Sequence, residues 1–416
     1  MSAPRIDPER LATAEWLTRS STQSVMTALT VEGHRVCVVG GAVRNGLLGE
    51  KVADIDMATD ARPETVMTLA RRAGLKAVPT GIEHGTVTVV ADHTPFEVTT
   101  LRRDVETFGR HARVDFTDDW GADAARRDFT INALFCEADG TVLDYVGGLE
   151  DLAARRIRFI GSAIERIRED YLRILRFFRF TATYGRDGLD VEGLRACVAE
   201  RAGLRRLSGE RIRAELMKLI VAKGALPVLD VMLGHGLIAD VVGVPWLTRL
   251  VRVVAQEEAL GAPPDPVLRL AALTVCVAED GTRLFERLKL SGAERDRLLA
   301  LGATIAMDFP TDPRSAEELL YRFGMVTYHD RLMLAWARAG VSADDAAWQT
   351  LAKNAGASHP RVFPLRGRDL IGLGASPGPR LGEILRQIED AWVAGGFLED
   401  RAALLERAKS LVNSAG

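Results

Sequence analysis

A chain of 416 residues, 47% apolar and 27% charged, can build two to four domains with packed cores, which excludes a disordered or low-complexity polymer. The net charge of −3 excludes a uniformly basic nucleic-acid coat, yet residues 151–223 carry 17 Lys/Arg against 10 Asp/Glu, a basic middle on an otherwise acidic chain. No apolar run reaches the roughly 18 residues of a membrane span, the opening residues lack the apolar stretch of a secretory signal, and the four cysteines (Cys37, Cys136, Cys197, Cys276) form no C-x-x-C, so the expectation is a cytoplasmic protein with reduced core thiols.

In chain order, Leu11, Trp16, Leu17, Val25 and Leu29 share one face and predict a helix from about Pro8 to Glu32. Arg35–Val39 predicts a buried strand, and Gly40-Gly41 a tight turn where backbone N–H groups can approach a phosphate closely. A short helix through Leu47-Leu48 leads to a strand predicted over Asp54–Met57. Strand side chains alternate, so Asp54 and Asp56 would stand on one side of it, a carboxylate pair suited to hold Mg²⁺ for phosphoryl or nucleotidyl transfer. A helix beginning at Asp60–Glu64, with Asp60 as cap and Pro63 in its first turn, runs to about Ala73. His84–Val90 and Pro95–Thr100 read as a hairpin, and Glu97 on its second strand is a candidate third carboxylate beside the metal. Arg102–Asp119 reads as a loop whose glycine and charge content suit mobility.

In Arg126-Arg127-Asp128-Phe129-Thr130-Ile131-Asn132, the arginines offer fork-shaped donors for triphosphate oxygens, Asp128 an acceptor for a ribose hydroxyl, and Asn132 a bridge between sugar and phosphate. Past Asp151 helical periodicity dominates. Glu169–Phe180 reads as one amphipathic helix, with Asp170, Arg173, Arg176 and Arg179 in a stripe and Ile167, Leu172, Ile174, Leu175 and Phe178 opposite. A fixed carboxylate beside a fixed guanidinium complements the pairing edge of cytosine or adenine, an amine beside an unprotonated ring nitrogen. It mismatches uracil and guanine, which present a carbonyl beside an N–H. Ser208 with Glu210-Arg211 reads as a helix start in an architectural segment. Later breaks fall near Gly224, 261–264, 356–360 and 372–379. His329-Asp330 lacks the further His and Asp ligands a metal would need, and the loop 372–379 before a helix could hold a nucleic-acid phosphate.

The string from Gly40-Gly41-Ala42-Val43-Arg44-Asn45 to Asp54-Ile55-Asp56-Met57, together with Arg126–Ala133, Asp144–Leu152, Glu169–Phe180 and Ser208–Leu216, resembles the class II polymerase-β-like nucleotidyltransferases, the family of bacterial tRNA CCA-adding enzymes and poly(A) polymerases. The family has Asp where this chain has Asn45, a position read as turn-stabilising. The resemblance implies an α+β fold: a polymerase-β-like head (a small mixed sheet with helices) over 1–146, then an all-helical neck over 147–223, body over 224–330 and tail over 331–416. It implies that Asp54 and Asp56 hold Mg²⁺ and that Gly40, Gly41, Arg44 and Arg127 hold the triphosphate. Asp128 and Asn132 would serve the sugar and phosphates, Asp170 and Arg173 would select CTP and ATP, and Arg176 and Arg179 would hold nucleotide or primer phosphates. The partner implied is tRNA, contacted in part by the tail; no protein partner is inferred. The expected activity is addition of the 3′-terminal CCA. A poly(A) polymerase is the nearest rival, but Pro79–Val87 is similar to the CCA-type segment and has no basic run. An enzyme adding only CC or only A would also fit the head, as would a non-catalytic RNA-binding protein on the same scaffold; the intact Asp54/Asp56 pair argues against the last.

Overall fold

The computed structural model describes residues 6–108, 111–186, 188–302, 313–357 and 361–414. It divides into two compact units, Met1–Gly243 and Val244–Gly416.

The first unit is built on nine strands: β1 Val36–Val39, β2 Asp56–Thr59, β3 Lys76–Gly81, β4 Thr86–Ala91, β5 Thr94–Thr100, β6 Arg102–Phe108, β7 His111–Phe116, β8 Leu134–Cys136 and β9 Val142–Asp144. Seven form one sheet in the order β3-β4-β5-β2-β1-β8-β9. Its neighbours are antiparallel except β2 and β5, which run parallel. All four β1 residues are buried, as their apolar run requires, and Cys37, Val39, Ala58, Leu101, Trp120 and Phe135 pack into one cluster against the sheet. The alternating burial of β4 places Val87, Val89 and Ala91 in the core.

Several boundaries differ from those expected. The segment 8–33 is not one helix: Pro8–Thr13 is 3-10 helix, and extended residues Ala14 and Arg19 separate it from Glu15–Thr18 and Ser20–Leu29. The apolar face survives the breaks, since Leu11, Trp16, Leu17, Val25 and Leu29 are all buried. β2 begins at Asp56, not Asp54, level with the end of β1, whose last residue Val39 is the partner of Asp56. The helix Pro63–Arg72 is not capped by Asp60, whose carboxylate instead accepts from the Arg35 N–H at 3.1 Å and meets His34 Nδ1 at 3.0 Å. The segment expected as a loop at 102–119 contains the antiparallel pair β6–β7; Gly109 and Arg110 between them lie outside the described residues, as do 358–360 in the break expected near Gly356.

The rest of this unit is helical, and its Phe129, Phe159, Phe177 and Phe180 rings pack together with centroids 4.8 to 6.3 Å apart. The second unit is helical among its described residues. One cluster gathers Leu370, Ile384, Ile388, Trp392 and Leu404. Elsewhere Arg297 joins Asp265 at 2.8 Å and Asp330 at 2.7 Å, so the carboxylate after His329 is a buried structural ion pair. No described helix is long and apolar enough to cross a membrane.

Candidate active site

A cleft of about 490 Å³ in the first unit collects residues from four separate segments: Gly40, Gly41 and Arg44; Asp56; Arg126 to Asn132; and Asp170 to Phe180.

Gly40 closes β1 with φ +74° and ψ −118°, a conformation that demands glycine, and its N–H donates to the Leu134 carbonyl at 3.0 Å. A Cβ there would stand 3.4 Å from the Asn132 carbonyl oxygen. Gly41 opens the helix Gly41–Leu48, so the N–H groups expected to approach a phosphate are those of a helix N-terminus.

Asp56 and Glu97 are directly opposed in the parallel β2–β5 register, and Asp54 lies just before the strand; all three are exposed. Although Asp56 reaches solvent, desolvation of its carboxyl by the protein packed around it raises it above its usual range, with the charges of Glu97 and Asp54 adding to the effect and Arg127 opposing it. A bound cation would offset the mutual repulsion of carboxylates placed side by side. Among the described residues no group of three or more His, Cys, Asp or Glu side chains is placed to enclose an ion. The opposed Asp56 and Glu97 are carboxylates of the kind that hold a divalent cation whose coordination substrate phosphates complete.

The arginine pair is organised by Asp123, a residue that carries no motif. Only 1% exposed, it accepts from Arg126 Nε at 2.8 Å and Arg127 Nη2 at 2.8 Å. Burial opposes its charge, but Arg127 and Arg126 prevail and hold the carboxyl below its usual range. Burial in turn lowers Arg126 to about 10. A signal for Asp123 does exist in the sequence, since it lies three and four residues before the two arginines on one helical turn.

Asp128 is expected from its sequence context to accept from a ribose hydroxyl. Its oxygens instead take the Phe129 N–H at 2.8 Å, Asn132 Nδ2 at 3.1 Å, and Arg176 Nε at 2.7 Å and Nη2 at 2.6 Å. Those four bonds fill a carboxylate's acceptor positions, so here Asp128 anchors Arg176 and Asn132. Burial again opposes ionisation, but Arg176 and Asn132 hold Asp128 below the usual carboxylate range.

The expected continuous helix breaks at Asp170 (φ −153°, ψ 105°), between Ala163–Glu169 and Leu172–Tyr184. Asp170 is therefore in an extended joint, and its side chain and that of Arg173 are held by different partners. Asp170 accepts from the Leu172 N–H at 3.1 Å and from Arg211 Nη2 at 2.6 Å. Arg173 bonds Glu169, donates to the Arg166 carbonyl at 2.8 Å and to the Arg126 carbonyl at 3.4 Å. Arg179 bonds Glu215, which also lies 3.7 Å from Arg176. Arg211 and Glu215 both come from the helix Gly209–Ile220, so a segment expected to be architectural also orients the cleft. Their i,i+4 spacing, one cation and one anion on a single face, is the sequence sign of that role.

Arg44 lines the cleft at 6% exposure, donating to Asn45 Oδ1 at 2.9 Å, to the Tyr184 hydroxyl at 2.8 Å and to Asn132. Asn45 lies within the helix Gly41–Leu48, and its Nδ2 donates to the Lys51 carbonyl beyond the helix end at 3.1 Å.

Removing the shared carboxylate with Asp123→Ala should lower the urea unfolding free energy by about 3–5 kcal/mol, because it leaves two largely buried guanidiniums without that partner. Asp123 and Asp128 titrate below the usual value of about 3.9 when folded, so the unfolded chain takes up their protons first as pH falls. Their stabilisation should be complete above about pH 4–5 and lost on descent through the folded values, a loss measurable by melting temperature against pH.

Residues 36–158 match the poly A polymerase head domain and residues 268–408 the tRNA nucleotidyltransferase domain 2. The chain is 35% identical to the CCA tRNA nucleotidyltransferase 1, mitochondrial, of Homo sapiens, with 93% of this chain and 89% of that protein covered. It is 32% identical to the CCA-adding enzyme of Levilactobacillus brevis, covering 92% and 95%. The crystal structure of the Bacillus stearothermophilus CCA-adding enzyme in complex with CTP matches with a TM-score of 0.72 at 28% identity, over 95% of this chain and 100% of that one. The Thermotoga maritima CCA-adding enzyme complexed with tRNA-CCA shares the fold, with a TM-score of 0.67 at 21% identity over 94% of each chain.

Proposed function

Because this chain belongs to the CCA-adding tRNA nucleotidyltransferases, we infer that it adds or repairs the 3′-terminal CCA of tRNA without a nucleic-acid template, using CTP and ATP and releasing pyrophosphate. The observation that carries the reading is the meeting, in one cleft, of a glycine turn, the Asp56 carboxylate, a bank of arginines and the Asp170 carboxylate. Relatives matched over most of their length are CCA-adding enzymes, which favours this reading over a poly(A) polymerase, a partial enzyme or a non-catalytic RNA-binding protein.

The family's chemistry calls for a divalent cation, which we take to be Mg²⁺ held by Asp54 and Asp56, with Glu97 beside them. Bound there, Mg²⁺ would lower the pKa of the tRNA 3′-hydroxyl and neutralise the triphosphate. The backbone N–H groups of the Gly40-Gly41 turn, with Arg44 and Arg127, hold the triphosphate, while Arg176 and Arg179 hold nucleotide or primer phosphates. Asp128 and Asn132 serve the nucleotide by fixing Arg176 and Arg44. Asp170 and Arg173 meet the base edge. The hydroxyl attacks the α-phosphorus in line and pyrophosphate leaves. In this reading 1–146 is the catalytic head, 147–223 the neck that reads the base, 224–330 the body and 331–416 a tail contacting tRNA phosphates by shape. The cytoplasm is the proposed location, a setting in keeping with four unpaired cysteines.

The test offers tRNA transcripts lacking A, CA or CCA, with Mg²⁺ and with CTP or ATP singly and together. Extension of all three that halts at a completed CCA is the expected result. Long A tails would make the protein a poly(A) polymerase. A halt after CC, or addition of A alone, would make it a partial enzyme, and no addition would leave an RNA-binding protein.

A further inference from the structure

Arg126, Arg127, Arg173, Arg176 and Arg179 each bond a carboxylate, so much of their charge is already compensated. Arg44 differs. Among the described residues its hydrogen-bond partners are all neutral: the Asn45 amide oxygen at 2.9 and 3.1 Å, the Tyr184 hydroxyl at 2.8 Å, and the Asn132 amide oxygen. Asp128 acts on it through space only, its oxygens being taken by Arg176, Asn132 and the Phe129 N–H. The guanidinium also lies over the Tyr184 ring, 4.2 Å from its centroid. It is buried, which disfavours its charge, and little water is present to screen it. It is also close to the place where an anion would sit, since a Cβ on Gly41 would stand 3.7 Å from Arg44 Nη2.

We propose that Asn45 sets the charge of the phosphate end of the cleft: a neutral acceptor in this position orients Arg44 without compensating it, and leaves a full positive charge directed at the nucleotide's triphosphate and at pyrophosphate. A carboxylate of the same shape at residue 45 would be in contact with both Nε and Nη2 of Arg44 and would compete with the phosphates for it. Asn45 is thus a positioning residue, acting through Arg44. The inference rests on the reading of the cleft as a nucleotide site.

The experiment uses the full chain with Mg²⁺. Calorimetric titration with CTP and with inorganic pyrophosphate is followed by steady-state addition of CTP and ATP to tRNA transcripts. Asn45→Asp is expected to weaken pyrophosphate and CTP binding by about tenfold or more and to raise KM for CTP and ATP by a similar factor, because the added charge acts on phosphate and not on the base. Asn45→Ser is neutral and, like Asn45→Asp, lacks the amide donor to the Lys51 carbonyl. It should bind within about threefold of the wild type, a change under about 1 kcal/mol. Unchanged affinity in Asn45→Asp overturns the proposal, and so does an equal loss in Asn45→Ser, which would assign the effect to turn geometry. If the wild type binds neither CTP nor pyrophosphate, the nucleotide-site reading itself fails and takes the inference with it.

Discussion

Asp54→Ala and Asp56→Asn should each reduce nucleotide incorporation by on the order of 10³-fold or more, because the cation they would hold is worth several kcal/mol of transition-state stabilisation. Affinity for tRNA should be largely kept, since neither residue belongs to the basic neck or the helical second unit. Asp56 should be the more sensitive of the two, because its strand pairing holds it opposite Glu97 while Asp54 precedes the strand. Its raised carboxyl pKa adds a pH signature. Protons should compete with the cation at higher pH than for an ordinary aspartate, so the cation requirement should rise as pH falls. Single-turnover incorporation measured beside a tRNA gel shift separates the cases. Full activity in Asp54→Ala and Asp56→Asn would remove the metal assignment, and joint loss of activity and tRNA binding would point to misfolding.

The parts of the site that lie close together in sequence are legible there, and those assembled by packing are not. The Gly40-Gly41 turn is a local conformational demand, and the structure meets it with a positive φ at Gly40. The nearness of Asp54 to Asp56 follows from two residues of spacing. The Asp56–Glu97 register does not, because it depends on β5 pairing parallel to β2 across an intervening helix and hairpin. Periodicity also overruns local breaks. It predicts one helix where Ala14 and Arg19 interrupt the first segment, and one where Asp170 interrupts the neck, because a buried face can continue through a joint that a period count does not detect. Supporting charges are the hardest to see. Asp123, Glu215 and Arg211 carry only a helical spacing that ordinary surface charges also show, yet each orients a residue of the cleft.

Such supporting charges bear directly on the proposed base selection. Asp170→Ala or Arg173→Ala should reduce discrimination of CTP over UTP, measured as the ratio of kcat/KM values, by about 10²-fold or more. Sites that match hydrogen bonds to a substrate reject mismatches by up to about 10⁴–10⁵, and the loss of one fixed partner removes much of that penalty. The fixing is visible. Arg211 holds one Asp170 oxygen at 2.6 Å, while Glu169 and the Arg166 carbonyl hold Arg173. Acceptor and donor are therefore set separately, with no bond between their side chains to be broken when a base enters. A cytosine or adenine edge can then meet both without first separating an ion pair, whereas uracil or guanine would place its carbonyl against the Asp170 carboxylate and its N–H against the Arg173 guanidinium. Each of those mismatches buries an unpaired polar group, at about 1–3 kcal/mol. Misincorporation of UTP and GTP, read at single-nucleotide resolution on a tRNA ending before CCA, checks this directly. If both variants still reject UTP and GTP as the wild type does, Asp170 and Arg173 are not the base-reading pair.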